Sequence, residues 1–172
     1  TFDLWDCLFC DETDEPKRAA AGVSSKPVAR RQLLYENLIQ QAPIERIQVD
    51  TAFDVADAAF RKVWHEHYIT WSVSERIQVI LDALNRTLPP ASFSEVVSGI
   101  ENMELEYSPD PAPGGVEALA GLHGKYKLAV ISDTVYSPGK NLRKLLDKFG
   151  MLPYFDYFVF SDEAGHSKPH PS

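Results

Sequence analysis

The chain has 172 residues, 44% of them hydrophobic, and a formal net charge of −8. That length suits one ordinary domain, or a domain carrying an inserted subdomain, and the apolar share excludes a disordered chain. The acidic balance argues against a nucleic-acid partner, and no apolar run nears the ~20 residues needed to span a bilayer.

The stretch "FDLWDCLF" at residues 2–9 reads as a strand that delivers a carboxylate, Asp3, to a loop. Cys7 and Cys10 make a C-x-x-C, yet they lie among acids rather than in a thioredoxin-like unit. Two ordinary reduced thiols are expected there, and two sulfurs do not make a zinc site. No basic-then-apolar leader opens the sequence, so a cytoplasmic location is the default expectation.

Residues 11–27, polar and bearing Pro16 and Pro27, read as an exposed connector. Four helical patterns follow. Leu33, Leu34, Leu38 and Ile39 form one apolar stripe within residues 28–42. Phe53, Phe60, Val63, Trp64, His67 and Trp71 recur at helical spacing within 51–71. That spacing places His67 in a packed stripe and turns His65 to another face, so "HEH" is not expected to hold a metal. Ile77, Ile80, Leu81, Leu84 and Leu88 do the same within 74–88. The fourth pattern opens on "SFSE", a capping-box sequence at Ser92 and Glu95.

"SPDPAPGG" at 108–115 reads as a hinge, followed by a helix over 116–123. "KLAVIS" (127–132) suits a buried parallel strand, residues 138–149 a helix with Pro138 near its start, and 155–161 a further strand. Strand, helix, strand, helix, strand is a parallel α/β layout with a helical block inserted after its first strand. Chemistry in such sheets gathers at the carboxyl ends of strands. Asp3, Ser132-Asp133-Thr134 and "SDEAGHSKPHPS" all fall at those ends.

Three motifs in this order carry a resemblance. Asp3-Leu4-Trp5-Asp6-Cys7-Leu8 is similar to a nucleophile motif, Ser132 in "LAVISDT" to a second motif, and Lys168 in "SKPHP" to a third. Together they resemble the haloacid dehalogenase superfamily, in the branch with a helical cap between the first and second motifs. The resemblance implies a Rossmann-like α/β core from residues 1–12 and 108–172, incomplete at both ends, and a cap from 13–107. It also implies a hydrolase in which Asp3 attacks the substrate, Ser132 donates a hydrogen bond and Lys168 offsets the developing charge. A phosphatase is the first expectation. A 2-haloacid dehalogenase, or an inactive binding protein of the same fold, is the alternative.

Four departures matter. Trp5 stands where phosphatases carry a second acid, and dehalogenases carry an aromatic residue there. Asp6 stands where Gly is common and Cys7 where Thr is common. The chain stops at Ser172, before the acidic fourth motif, and begins two residues before Asp3, so a fragment of a longer protein is expected. A proton donor in place of Trp5 would come from Asp6, His65 or His67. The implied partner is a small anionic organic molecule, with no nucleic acid and no membrane; the oligomeric state stays open. Trp5, Asp133 (where Asn is frequent), Arg30 and Arg31 are the expected substrate-binding residues. For a phosphatase the resemblance implies Mg²⁺ on Asp3 and the Trp5 backbone carbonyl, with further ligands beyond residue 172; for a dehalogenase it implies no cofactor.

Overall fold

The computed structural model describes residues 1–170, so Pro171 of the third motif lies outside it. A short strand β1 (Phe9–Cys10) pairs antiparallel with β2 (Asp110–Pro111), which brings the chain back beside its start. Between them run α1 (Asp14–Ala20), α2 (Lys26–Ile39), α3 (Arg46–His67), α4 (Val73–Ala83) and α5 (Pro90–Glu106). After β2 come α6 (Gly115–Leu122), β3 (Ala129–Ser132), α7 (Gly139–Lys148), a 3-10 turn over Leu152–Tyr154, β4 (Tyr157–Phe160) and α8 (Ser161–Ala164).

The α/β expectation holds. β3 and β4 are parallel, with Val130 opposite Phe158, and Phe2 bridges Val130 in parallel as well. The Phe2 amide donates to the Ala129 carbonyl at 2.8 Å, and the Ile131 amide donates to the Phe2 carbonyl at 2.9 Å. β3 therefore lies between the start of the chain and β4. The sheet stays small, and its carboxyl ends gather Asp3, Ser132 and the turn after β4.

Two buried apolar clusters divide the chain. Leu34, Leu38, Val49, Phe53, Ile77, Ile80, Val96 and Ile100 pack α2 to α5 together. Leu4, Phe9, Leu119, Val130, Leu142, Leu145 and Phe160 pack the helices onto the sheet. Leucine and isoleucine at every third or fourth position give each helix one stripe, and burying that stripe drives the packing. Asn141 on α7 ties the two parts, donating to the Glu101 carbonyl at 2.8 Å and the Asn102 side chain at 3.0 Å.

Several local readings need correction. The connector over 11–27 contains α1, whose Asp14 and Arg18 are buried, with Asp14 paired to Lys26 at 2.8 Å. "SFSE" is not a cap: α5 begins at Pro90, so Ser92 is already helical. Capping boxes sit instead at the start of α3, between Glu45 and Gln48, and at the start of α4. There Ser72 Oγ accepts the Glu75 amide at 3.2 Å and Glu75 accepts the Ser72 amide at 2.7 Å. α3 stops at His67 because Tyr68 turns left-handed at φ 55°, which leaves His67 exposed rather than packed and puts Trp71 outside the helix. The two thiols are free, as expected, but Cys10 lies in β1 rather than at the end of the first parallel segment.

Candidate active site

Asp3 follows directly on the bridge between Phe2 and β3, so its carboxylate emerges at the sheet's carboxyl edge. Lys168, in the turn after α8, reaches back to it: Nζ lies 2.5 Å from Asp3 Oδ2. The same ammonium donates to the Ile131 carbonyl at 3.4 Å, and the Leu4 amide donates to Asp3 Oδ1 at 2.8 Å. Ser132 ends β3 almost fully buried, with Oγ donating to the Asp133 carbonyl at 3.3 Å. Asp133 closes the group, since its Oδ1 accepts the Lys168 backbone N–H at 2.9 Å. Burial pushes the Asp133 carboxyl above its ordinary value; Lys168 opposes the rise and the charge of Asp3 adds to it. A cavity of about 210 Å³ opens beside Ser132, Asp133 and Lys168, with His166 and His170 also on its wall. Those two imidazoles stack 3.9 Å apart.

The loop after Asp3 is tightly wound. The Leu4 carbonyl accepts from the amides of Cys7, Leu8 and Phe9 at 3.4, 2.9 and 3.0 Å. This winding turns Asp6 to φ 53°, a left-handed conformation that glycine adopts without cost and Asp tolerates better than most residues. The common glycine at this position therefore has a backbone reason. Asp6 spends its side chain locally, accepting the Asp11 amide at 3.1 Å.

Trp5 and Arg30 share a second cavity, of about 350 Å³, with Lys26, Glu104 and Tyr136. Arg30 lies 3.4 Å above the Tyr136 ring, and Arg76 lies 3.9 Å from the same ring. Arg31 goes elsewhere. Its guanidinium pairs with Asp54 at 2.7 Å and donates to the Asp50 carbonyl at 3.0 Å, both on α3. The structure thus brings Asp3, Ser132, Asp133 and Lys168 together, places Trp5 and Arg30 on a neighbouring cavity, and leaves Arg31 apart from both.

Arg76 and Tyr136 are missing from the sequence reading. Arg76 is 4% exposed, pairs with Asp57 at 2.5 Å and donates to the Val135 carbonyl at 2.9 Å. The signal open to the sequence was a lone arginine within an otherwise apolar helical stripe, next to Ile77 and Ile80.

A parallel α/β sheet gathers an acid, a hydroxyl and a lysine at its carboxyl edge. The whole chain, residues 1–172, matches the family described as "Hydrolase: haloacid dehalogenase-like hydrolase", and the protein belongs to that family. Over 60 residues, 34% of the chain, it is 43% identical to the "Probable phosphatase IndB" of Dickeya dadantii, an alignment that covers 25% of that protein. An HAD phosphatase from Thermococcus onnurineus has a similar fold, with a TM-score of 0.53 and 18% identity over 99% of this chain. A predicted phosphoglycolate phosphatase from Haemophilus somnus 129pt follows at TM-score 0.50 and 16% identity, again over 99% of this chain. The chain spans 65% of the length of each of these two structures. Among the described residues no helix is long and apolar enough to cross a membrane.

Proposed function

We propose that the whole protein is a phosphatase of this family, using Asp3 as nucleophile on a small anionic organic substrate. The observation that carries this reading is the 2.5 Å pair between Asp3 and Lys168, formed across almost the full length of the chain. Lys168 orients the Asp3 carboxylate for attack, then offsets the negative charge that builds on the transferring group. Ser132 Oγ, now on a backbone carbonyl, supplies a hydrogen bond to that group. The identity shared with the probable phosphatase IndB supports phosphoryl chemistry. In this reading residues 13–107 act as a cap, and Arg30 and Trp5 line the space into which the rest of the substrate extends.

Magnesium fits the donors in part. Asp3 offers a carboxylate, and the Trp5 carbonyl accepts no backbone hydrogen bond among the described residues, so both are hard oxygen ligands. The described residues hold no cluster of three His, Cys, Asp or Glu placed for a metal. The remaining ligands expected beyond residue 172 lie outside the described residues. When bound, the ion would shield phosphoryl charge from Asp3.

Trp5 favours a second reading, a dehalogenase, because a departing halide needs no proton. The test assays p-nitrophenyl phosphate and 2-chloropropionate with the full-length protein, with and without chelator, alongside Asp3→Asn. Phosphate release that chelation abolishes and Asp3→Asn lacks supports the phosphatase. Dehalogenation that survives chelation replaces it, and activity retained in Asp3→Asn removes Asp3 as the nucleophile. Silence on both substrates points to a binding protein.

A further inference from the structure

Arg30 is 8% exposed, yet it forms no ion pair among the described residues. The buried acids near it are already taken. Asp14 and Glu104 pair with Lys26 at 2.8 and 3.5 Å, Asp54 pairs with Arg31, and Asp57 pairs with Arg76. One face of the Arg30 guanidinium lies on the Tyr136 ring, and Nε has no hydrogen-bond partner among the described residues. Burial lowers the Arg30 pKa from its ordinary value; Tyr136 and Glu104 oppose the shift and Arg76 adds to it. A buried cation left without its own anion is costly, which makes this guanidinium a place for an anionic group from outside.

The cavity that Arg30 lines, about 350 Å³, is unbalanced the other way along the segment just after β1. Asp11, Glu12 and Glu15 line it there, and none of the three forms an ion pair among the described residues. Asp11 accepts the Glu12 amide at 2.8 Å and Glu15 accepts the Lys26 amide at 3.0 Å, so backbone contacts hold two of these carboxylates without supplying a cation. The cavity also adjoins the reacting groups. Trp5, on its wall, is two residues past Asp3, a span of at most about 7 Å. Val135, also on the wall, lies three residues past Ser132.

A distal group with only a negative charge would meet Arg30 and be repelled by three carboxylates. One with only a positive charge would meet the carboxylates and be repelled by Arg30. A group bearing both charges satisfies the whole wall, and the Trp5 indole adds a face that attracts a cation. We propose that this cavity is a subsite for a zwitterionic amino-acid group, and that the substrate is the phosphomonoester of a small hydroxy amino acid. The carboxylate binds Arg30 and the ammonium faces Asp11, Glu12 and Glu15. The proposal rests on the phosphatase reading, which places the phosphoryl group at Asp3. The volume suits a group of this size, since pockets for whole small ligands begin at about 300 Å³.

The experiment measures kcat/KM of the full-length protein on p-nitrophenyl phosphate and on a matched set of alkyl monophosphates. In that set O-phosphoserine carries both distal charges, phosphoethanolamine the ammonium alone, 3-phosphoglycerate the carboxylate alone and glycerol 3-phosphate neither. O-Phosphoserine should be preferred over each of the others by about tenfold or more. Arg30→Gln should bring it down to the level of phosphoethanolamine. The double variant Asp11→Asn, Glu12→Gln should bring it down toward 3-phosphoglycerate. Both acids of the double variant are exposed, so it tests the subsite even where Arg30→Gln fails to fold. A preference for 3-phosphoglycerate or phosphoethanolamine overturns the proposal, and so does a preference for O-phosphoserine that survives in either variant. A protein that hydrolyses p-nitrophenyl phosphate but treats the matched set alike, or leaves it untouched, also overturns it while the phosphatase reading stands. Silence on every phosphate overturns the phosphatase reading, and the proposal with it.

Discussion

The Ser167 amide donates to the Tyr68 carbonyl at 2.8 Å, so the turn that carries Lys168 is fastened to the end of α3. Ser167 Oγ adds a longer bond to the Trp64 carbonyl at 3.4 Å, and His166 bridges Ile69 antiparallel. Outward movement of α3 therefore pulls on the residue that faces Asp3. The left-handed turn at Tyr68 aims that carbonyl at the Lys168 turn.

Lys168→Ala should separate stability from activity. The Asp3–Lys168 pair is 46% and 38% exposed at its side chains, so losing it changes unfolding free energy by at most about 1 kcal/mol. On the proposed phosphatase reading, removing the ammonium takes a donor from the transferring group and should cost roughly 10²–10³-fold in kcat. Urea unfolding and steady-state kinetics on the same preparations check both.

Arg76→Met should be costly to the fold. Asp57 would keep its charge with only the Tyr136 hydroxyl still donating to it, and the Val135 carbonyl and Tyr136 hydroxyl would each lose a donor. Breaking a buried pair from one side costs about 3–5 kcal/mol, and the 22% exposure of Asp57 puts this case near the lower end. Arg76→Lys should recover part of the loss, since an ammonium cannot bridge three acceptors with a planar fork. Chemical denaturation of the three proteins checks the order.

Much of this arrangement was legible in the sequence, for physical reasons. A buried strand is a continuous apolar run and a chain reversal places polar residues at its end, so Asp3 and Ser132 could be read from local pattern, whereas Lys168 was singled out by the resemblance of "SKPHP" to a family motif. Helices α2 to α5 announced themselves by apolar residues at helical spacing. Arg76 and Tyr136 did not, because their pairing joins segments 60 residues apart and leaves no local trace. α1 looked like a connector because the residues it buries, Asp14 and Arg18, are charged. His67 was misplaced because apolar spacing ran on past the point where Tyr68 ends the helix.

Stability should fall with rising pH through Asp133. Below the ordinary aspartate pKa of about 3.9 the carboxyl is protonated in folded and unfolded chains alike. As pH rises, the unfolded chain releases its proton first, because the folded value is raised, mainly by burial. Stability is lost across that window and stays lower above it. Asp133→Asn should therefore melt higher than wild type at pH 7, with the difference vanishing near pH 3. Calorimetry at the two pH values is the measurement.

Gly139→Ala should destabilise the start of α7. A Cβ there would meet Phe160 ring carbons at 2.5 and 2.8 Å, and Phe160 is fully buried with no room to retreat. Overpacking of this kind costs about 1–3 kcal/mol. The Gly139 amide also donates to both Asp162 carboxylate oxygens at 3.1 Å, contacts that a displaced backbone would lose. A thermal melt compared with Gly121→Ala, where nothing lies within 4 Å of the added carbon, isolates the packing effect.

The Tyr136 ring belongs by chain position to the segment after β3, yet it packs into the helical cluster and binds Asp57 at 3.0 Å. The helices thus cannot be exchanged between relatives as a self-contained module. A chimaera that received residues 26–106 without an aromatic at position 136 would inherit Arg76 and Asp57 around an empty notch. A working exchange of this layer has to carry Tyr136 along with Arg76 and Asp57, so the seam to respect is a three-residue joint and not the ends of the helices.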